Sequence, residues 1–224
     1  MLNFIALDLS LKDMILIIAD EKHVFFRKKS RLDKNKAGTL FKNLKKGMLA
    51  SQIEFEDIEY IFSTIGPGNF NGIRISLSTV RGLVLGTKTV AAGISTMECI
   101  ARSVSTEKNI GVILKAYPEH IYFQLFDNNY AAITQPELKN IKNKINIPVK
   151  LENTILVGDQ CDIFSKQIGF RGKTITLESP TSFGLLNSVK ESISKNVFLP
   201  PSPLYLRPAR ATEPTNWKNS PIIG

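Results

Sequence analysis

The residues that could do chemistry in this chain are few. The segment Gly66-Pro67-Gly68-Asn69-Phe70-Asn71-Gly72 stands between an apolar run, Tyr60–Ile65, and a helical pattern beginning at Ile73. A glycine-rich turn ahead of a helix aims backbone N–H groups at an anion, and the helix dipole adds to that field. This turn lacks the Gly-Lys-Ser/Thr ending of a P-loop and the GxGxxG spacing of a dinucleotide site. Pro67 also removes one donor. A tight strand-to-helix turn made by Gly66, Pro67, Gly68 and Gly72 is the reading adopted. His23 lies in an apolar strand pattern, and His120 follows Pro118-Glu119 in a turn. Neither stands beside a Ser or Cys with a third orienting group. Cys99 and Cys161 lack CxxC spacing and cannot build a disulfide framework. With two histidines and no HExxH or Cys/His cluster, there is little material for a zinc site. The expectation is no catalytic residue, no metal and no cofactor.

Charge is the stronger signal. Lys and Arg total 29 against 20 acids, a formal net charge of +9, which favours polyanionic company: RNA, an acidic partner or a membrane surface. The stretch Arg27, Lys28, Lys29, Arg31, Lys34, Lys36 is broken only by Asp33. It has no interleaved aromatic residues, so any nucleic-acid role would be contact with the phosphate backbone rather than base readout. A solvated loop is the plain alternative.

The elements that would carry these residues follow from hydrophobic spacing. Asn3–Ser10, Met14–Ala19 and His23–Lys29 are three short apolar runs with polar breaks, the pattern of an antiparallel meander. Residues 37–51 repeat Leu40, Phe41, Leu44, Met48 and Leu49 at helical spacing. Tyr60–Ile65 reads as a buried strand. The following helix, Ile73–Leu85, has Asn69 or Asn71 as cap and Gly86 as stop. Thr89–Ala92 is a strand, and Ser95-Thr96-Met97-Glu98 fits a capping box. The second half begins near Lys108 with Ile110–Ala116 and Ile121–Asp127 as paired strands and Tyr130–Thr134 continuing the sheet. Asn140–Lys150 is a lysine-rich connector. Thr154–Gly158 is a strand, and Asp162–Ile168 and Ser182–Ser194 are helices. From Phe198 the prolines and lack of periodicity predict an extended tail, disordered in part. Three strands followed by strands alternating with helices imply an α/β chain in which mixed sheets are flanked by helices.

Composition bounds the rest. At 43% hydrophobic and 22% charged, the chain is neither a disordered tail nor a coiled coil. Its longest apolar runs are too short to cross a bilayer. Met1–Ser10 lacks a basic region followed by an apolar stretch, so no signal peptide is read. A reduced, cytoplasmic setting without membrane contact is expected.

An ordered set of segments resembles one family. Gly66–Gly86, GPGNFNGIRISLSTVRGLVLG, resembles the GPGSFTGLR motif of the TsaB (YeaZ) family. The opening FIALDLS resembles that family's ILAIDTS. Ala91–Glu98 resembles its VSTLE segment, Leu156-Val157-Gly158-Asp159 its GDG element, and Pro203–Arg207 its closing P-x-YLR. Three departures stand out. Asn69 and Asn71 replace the usual Ser and Thr, and Lys36-Ala37 stands where a His-Ser pair often opens the first helix. The DAR-x-x-EVY segment survives only as Lys115-Ala116-Tyr117 with Ile121-Tyr122 following.

The resemblance implies an actin/hexokinase-like (ASKHA) two-lobed fold, each lobe a mixed sheet flanked by helices and the second lobe reduced. The expected division is 1–107, 108–207 and an extended tail, 208–224. It implies a non-catalytic scaffold in tRNA threonylcarbamoylation, which modifies the adenosine beside the anticodon. Its partners would be a TsaD-like catalytic subunit, a TsaE-like ATPase acting through the complex, or a second copy when alone. A helix apolar on more than one side needs more than one packing partner; full burial inside the lobe is the plain alternative, and the resemblance implies instead that Phe70, Ile73, Arg74, Leu77, Val80 and Arg81 form the partner interface. Lys28, Lys29 and Lys34 are the candidate tRNA contacts. The superfamily's ATPases place a metal-linked carboxylate where Asp8 stands and clasp ATP with a second Asp-Gly-rich hairpin. Here that place reads GVILKAYPEHIYF, with Lys115 where an acid is wanted. Asp8 is therefore read as a turn or capping residue. An ATP-dependent small-molecule kinase or ATPase is the alternative, and a peptidase ranks last for want of a nucleophile.

Overall fold

Strands β1 (Asn3–Asp8) and β2 (Asp13–Ala19) are almost continuously apolar because both faces of their sheet are covered. In the computed structural model, which describes residues 2–142 and 151–206, they form an antiparallel meander with β3 (Val24–Arg31). Strands β4 (Ile58–Gly66) and β5 (Val90–Ser95) then add in parallel on the other side of β1, giving the order β3-β2-β1-β4-β5. Alternation along each strand sends successive side chains to opposite faces. Ile5, Leu7, Leu16, Ile18 and Ile61 pack with Leu40 and Leu44 of α1 (Lys36–Ser51) and Val80 of α2 (Phe70–Val84). Phe4, Ala6, Ile15, Ile17 and Phe62 pack with Leu185 and Val189 of α5 (Ser182–Lys195).

A second mixed sheet has the order β10-β9-β6-β7-β8. Its strands are β6 (Asn109–Lys115), β7 (His120–Phe126), β8 (Glu137–Asn140), β9 (Thr154–Val157) and β10 (Thr174–Ile175). One face packs on Met97, Ile100 and Ala101 of α3 (Thr96–Ala101). The other packs on Phe164 of α4 (Cys161–Ile168). Helix α3 also contacts α5, so it is wedged between the two sheets. This is the expected two-lobed arrangement, two mixed sheets each flanked by helices.

Three local expectations are corrected. Tyr130–Thr134 does not continue the sheet. The Asp127 carboxylate accepts from Asn129 N and Ala131 N, both at 2.8 Å, which curls the chain and leaves only an isolated bridge between Ala132 and Phe126. The stretch from Phe198 does not hang free. The Phe198 ring stacks on Tyr60 with centroids 5.0 Å apart. Gly93 N donates to Leu199 O and Leu204 N to Ile65 O, each at 2.8 Å. Helix α5, expected with the second lobe at 108–207, belongs by packing to the first sheet, whose open face needs its apolar side. Residues 207–224, with the tail expected at 208–224, lie outside the described residues, as does most of the Asn140–Lys150 connector.

Candidate functional site

The turn after β4 is set by close approach. The Gly66–Pro67 peptide bond is cis and Gly66 has φ +105°, a region that L side chains avoid. A Cβ on Gly68 would collide with the Ser10 carbonyl and one on Gly72 with the Leu9 carbonyl. Asn69 N donates to Ser10 O at 2.5 Å, and the Asn69 side chain caps α2 by accepting from Gly72 N at 3.0 Å. The glycine-rich segment thus seats α2 on the hairpin between β1 and β2.

That seating divides the six expected interface residues. Ile73 and Leu77 are buried against Ile65 and Leu204, and Val80 is wholly buried beneath α1 and α2. Their spacing aims them at their own sheet, so these three are core in this chain rather than exposed contacts. Phe70, Arg74 and Arg81 face outward. Phe70 is 51% exposed, with the Arg74 guanidinium 5.1 Å from its ring centroid and the Tyr205 ring 5.9 Å away. Arg81 donates twice to Pro201 O, at 2.7 and 3.1 Å, pinning the proline-rich segment beside the helix. The outward side continues through Ser78 to Leu85, which is 84% exposed.

A groove of about 360 Å³ runs between α1 and α2, lined by Ala37, Phe41, Arg74, Ile75, Ser78 and Thr79. Phe41 is 51% exposed. Sequence reasoning placed Phe41 in the core stripe of α1. The available signal was the adjacent pair Leu40-Phe41, too wide for one face, which leaves one residue turned toward α2.

Asp8 stands at the hairpin between β1 and β2. Asp8 is fully buried. Its Oδ1 accepts from Ser10 N at 2.9 Å, Ser10 Oγ at 2.5 Å and Thr64 Oγ1 at 2.7 Å. Its Oδ2 is buried without a hydrogen-bond partner, and burial raises the carboxyl above the usual carboxylate range. Lys12 N and Asp13 N both donate to Ser179 Oγ, at 3.1 and 3.0 Å. The Lys12 ammonium pairs with Glu178, which also takes Arg31 at 2.9 Å. The hairpin's donors are therefore engaged by the chain's own segment 178–179. At the second hairpin, Lys115 N donates to Asp159 Oδ1 at 2.7 Å, and the His120 ring stacks on Tyr117 at 4.1 Å.

The other candidates stay apart. His23 Nδ1 lies 3.4 Å from Asp20, and among the described residues no three His, Cys, Asp or Glu side chains gather. Burial pushes the thiols of Cys99 and Cys161 upward, away from reactive thiolate. Of the three expected tRNA contacts, Lys28 and Lys34 are exposed. Lys29 pairs with Asp13 at 3.2 Å and donates to Pro180 O at 2.9 Å, so its charge is already engaged within the fold.

Comparisons with known proteins agree with this layout. The family described as "TsaD: tRNA N6-adenosine threonylcarbamoyltransferase" matches residues 32–167. A curated relative from Buchnera aphidicola subsp. Schizaphis graminum, the tRNA threonylcarbamoyladenosine biosynthesis protein TsaB, is 28% identical over 163 residues, covering 69% of this chain and 77% of that protein. Its counterpart from Buchnera aphidicola subsp. Acyrthosiphon pisum is 26% identical over 132 residues, 55% of this chain and 60% of that protein. Among solved structures, YeaZ from Pseudomonas aeruginosa superposes with a TM-score of 0.81 at 15% identity, covering 92% of this chain and 100% of that one. No helix among the described residues is long and apolar enough to cross a membrane.

Proposed function

The chain belongs to the tRNA N6-adenosine threonylcarbamoyltransferase (TsaD) family, as a TsaB (YeaZ) member of it, and on that premise we propose that it acts in tRNA threonylcarbamoyladenosine biosynthesis as a partner subunit without a reaction centre of its own. The observation that carries this reading is the outward side of α2 with its neighbouring groove, where Phe41, Phe70 and Leu85 present large apolar side chains to solvent. Exposed apolar groups gathered around a groove favour a protein partner. The partner is a TsaD-type catalytic subunit, with a TsaE-like ATPase acting on the pair, and a second copy takes the same face when the chain is alone. The setting is the cytoplasm.

The engaged hairpin supports the non-catalytic part. Magnesium-bound phosphate needs free donors and an available carboxylate. Here Ser179 and Glu178 hold the amides of Lys12 and Asp13 and the Lys12 ammonium, and Asp8 Oδ1 is taken three times over, which leaves Oδ2 as its one oxygen without a partner. The test mixes the full chain with a TsaD-type subunit from the same cell and measures co-elution and tRNA modification. The expected result is a stable complex and modification that depends on the chain. Failure to associate, with the other subunit fully active alone, would overturn the reading.

A further inference from the structure

The positive charge of this protein is concentrated on one part of its surface. Residues 27–46 hold nine cations and one acid, Asp33, and so account for eight of the nine net positive charges of the whole chain. Strand β3 and helix α1, which contain most of that segment, lie against each other: buried Gly47 lets α1 close on the Phe26 ring of β3. The cations of α1 and those on the α1 side of β3, such as Lys28, therefore share one surface.

Lys28, Lys34, Lys42, Lys45 and Lys46 are exposed on it, whereas Arg27, in register with Ile17, projects from the opposite face of the sheet, the α5 side. None of these five forms an ion pair with another described residue, whereas Lys29 and Arg31 in the same segment are paired with Asp13 and Glu178. On α1, the three lysines lie on the side away from buried Leu40 and Leu44. Lys42 and Lys46 are turned away from the groove with α2, while Lys45 stands one turn beyond Phe41, at the edge of that groove. Asp33 is hydrogen-bonded to Thr39 at 2.7 Å, within the same segment. Holding so many unpaired like charges close together works against the folded state through self-repulsion, and a bound polyanion would relieve it.

We propose that the exposed surface of β3 and α1 binds the phosphodiester backbone of an RNA, the tRNA on which the complex acts. The cations project from a strand and a helix, which suits a rigid, regularly charged polyanion. The exposed ring beside them, Phe41, lines the groove with α2, so the lysine contact itself positions the RNA without reading its sequence. The identity of the RNA rests on the tRNA-modification reading above, while the polyanion chemistry rests on the charge alone. This surface borders the groove assigned to the protein partner, along Phe41 and Lys45, so one chain would hold a subunit in the groove and RNA across the cations beside it.

The test measures binding of the full chain to unmodified tRNA by fluorescence anisotropy across a salt series. It compares the parent with Lys42→Gln/Lys45→Gln/Lys46→Gln and with Lys28→Gln/Lys34→Gln. As a control, Lys88→Gln/Lys173→Gln removes two exposed cations elsewhere. The triple variant is expected to lose at least about tenfold in affinity, and its slope of log K against log salt should become shallower by about 2, close to 0.7–0.9 for each phosphate contact removed. The control should match the parent, and circular dichroism should be unchanged in all. Co-elution with the TsaD-type subunit is measured on the same samples. Unchanged tRNA affinity and salt slope in the triple variant would overturn the proposal and leave the partner-subunit reading standing. Loss of co-elution with tRNA affinity intact would overturn it in favour of an acidic protein face. Loss of binding to phosphatidylserine vesicles with tRNA affinity intact would overturn it in favour of a membrane. Reduced tRNA affinity in a chain that never pairs with the subunit would uphold the RNA surface and sink the partner reading instead.

Discussion

Gly72 and Asp8 lie on either side of one joint, and each is there for a different physical reason. Gly72 is the residue at which α2 touches the Leu9 carbonyl, so Gly72→Ala should force the helix off the hairpin. The expected cost is about 3 kcal/mol, read as a lower urea midpoint. Asp8 is the opposite case, a polar group whose burial is only partly compensated. Its carboxyl is raised above the unfolded value of about 3.9. In the pH range between the two values the folded chain keeps a proton that the unfolded chain releases. Stability should therefore fall as pH rises from about 4 through the raised value. Asp8→Asn should flatten that fall, measured as denaturation midpoints between about pH 4 and about pH 7. A variant with the parent's pH dependence would show that another group is responsible. The candidate site was only partly legible at this scale. The Gly/Pro turn could be read from composition. The carbonyls that require glycine at 68 and 72 could not, because they come from residues about sixty positions earlier.

Helix α2 shows what periodicity can and cannot settle. Its apolar residues exceed one face, and part of that excess, Phe70 and Leu85, is exposed. Spacing alone does not say which residues lie on which side. Ile73, Leu77 and Val80 turn to the sheet, while Phe70, Arg74 and Leu85 face outward. The two sets should separate by experiment. Phe70→Asp and Leu85→Asp should keep the parent's circular dichroism and thermal midpoint while weakening association with the TsaD-type subunit by at least about tenfold, a loss of roughly 1.4 kcal/mol. Val80→Asp places a charge in the core and should unfold the first lobe. Loss of fold in Phe70→Asp, or full binding in both surface variants, would count against this face. The meander, the three longer helices and the Asn69 cap of α2 were legible because each depends on neighbours within a few residues. The loop at Tyr130–Thr134 was not, since one carboxylate, Asp127, overrides a strand-like composition.

Over the whole molecule, the two lobes are tied by contacts between residues far apart in sequence. Ser179 Oγ satisfies the amides of both Lys12 and Asp13, while Glu178 meets Lys12 and Arg31. The two parts should differ in worth. Glu178→Gln removes surface ion pairs and should cost under about 1 kcal/mol. Ser179→Ala strands two amide donors and should cost about 1–3 kcal/mol, measured by urea unfolding. Equal costs would mean that charge rather than amide satisfaction holds the tie. This long-range closure was the least legible part of the fold, because neither Ser179 nor the apolar side of α5 carries a mark naming its partner. The placement of α5 also sets an order of events during synthesis. Phe4, Ala6, Ile15 and Ile17 are made well before the Leu185 and Val189 that cover them. A nascent chain must therefore carry a half-clothed sheet through the synthesis of the whole second lobe. Ribosome stalling anywhere before Lys195 would present that sheet to chaperones and proteases rather than to α5.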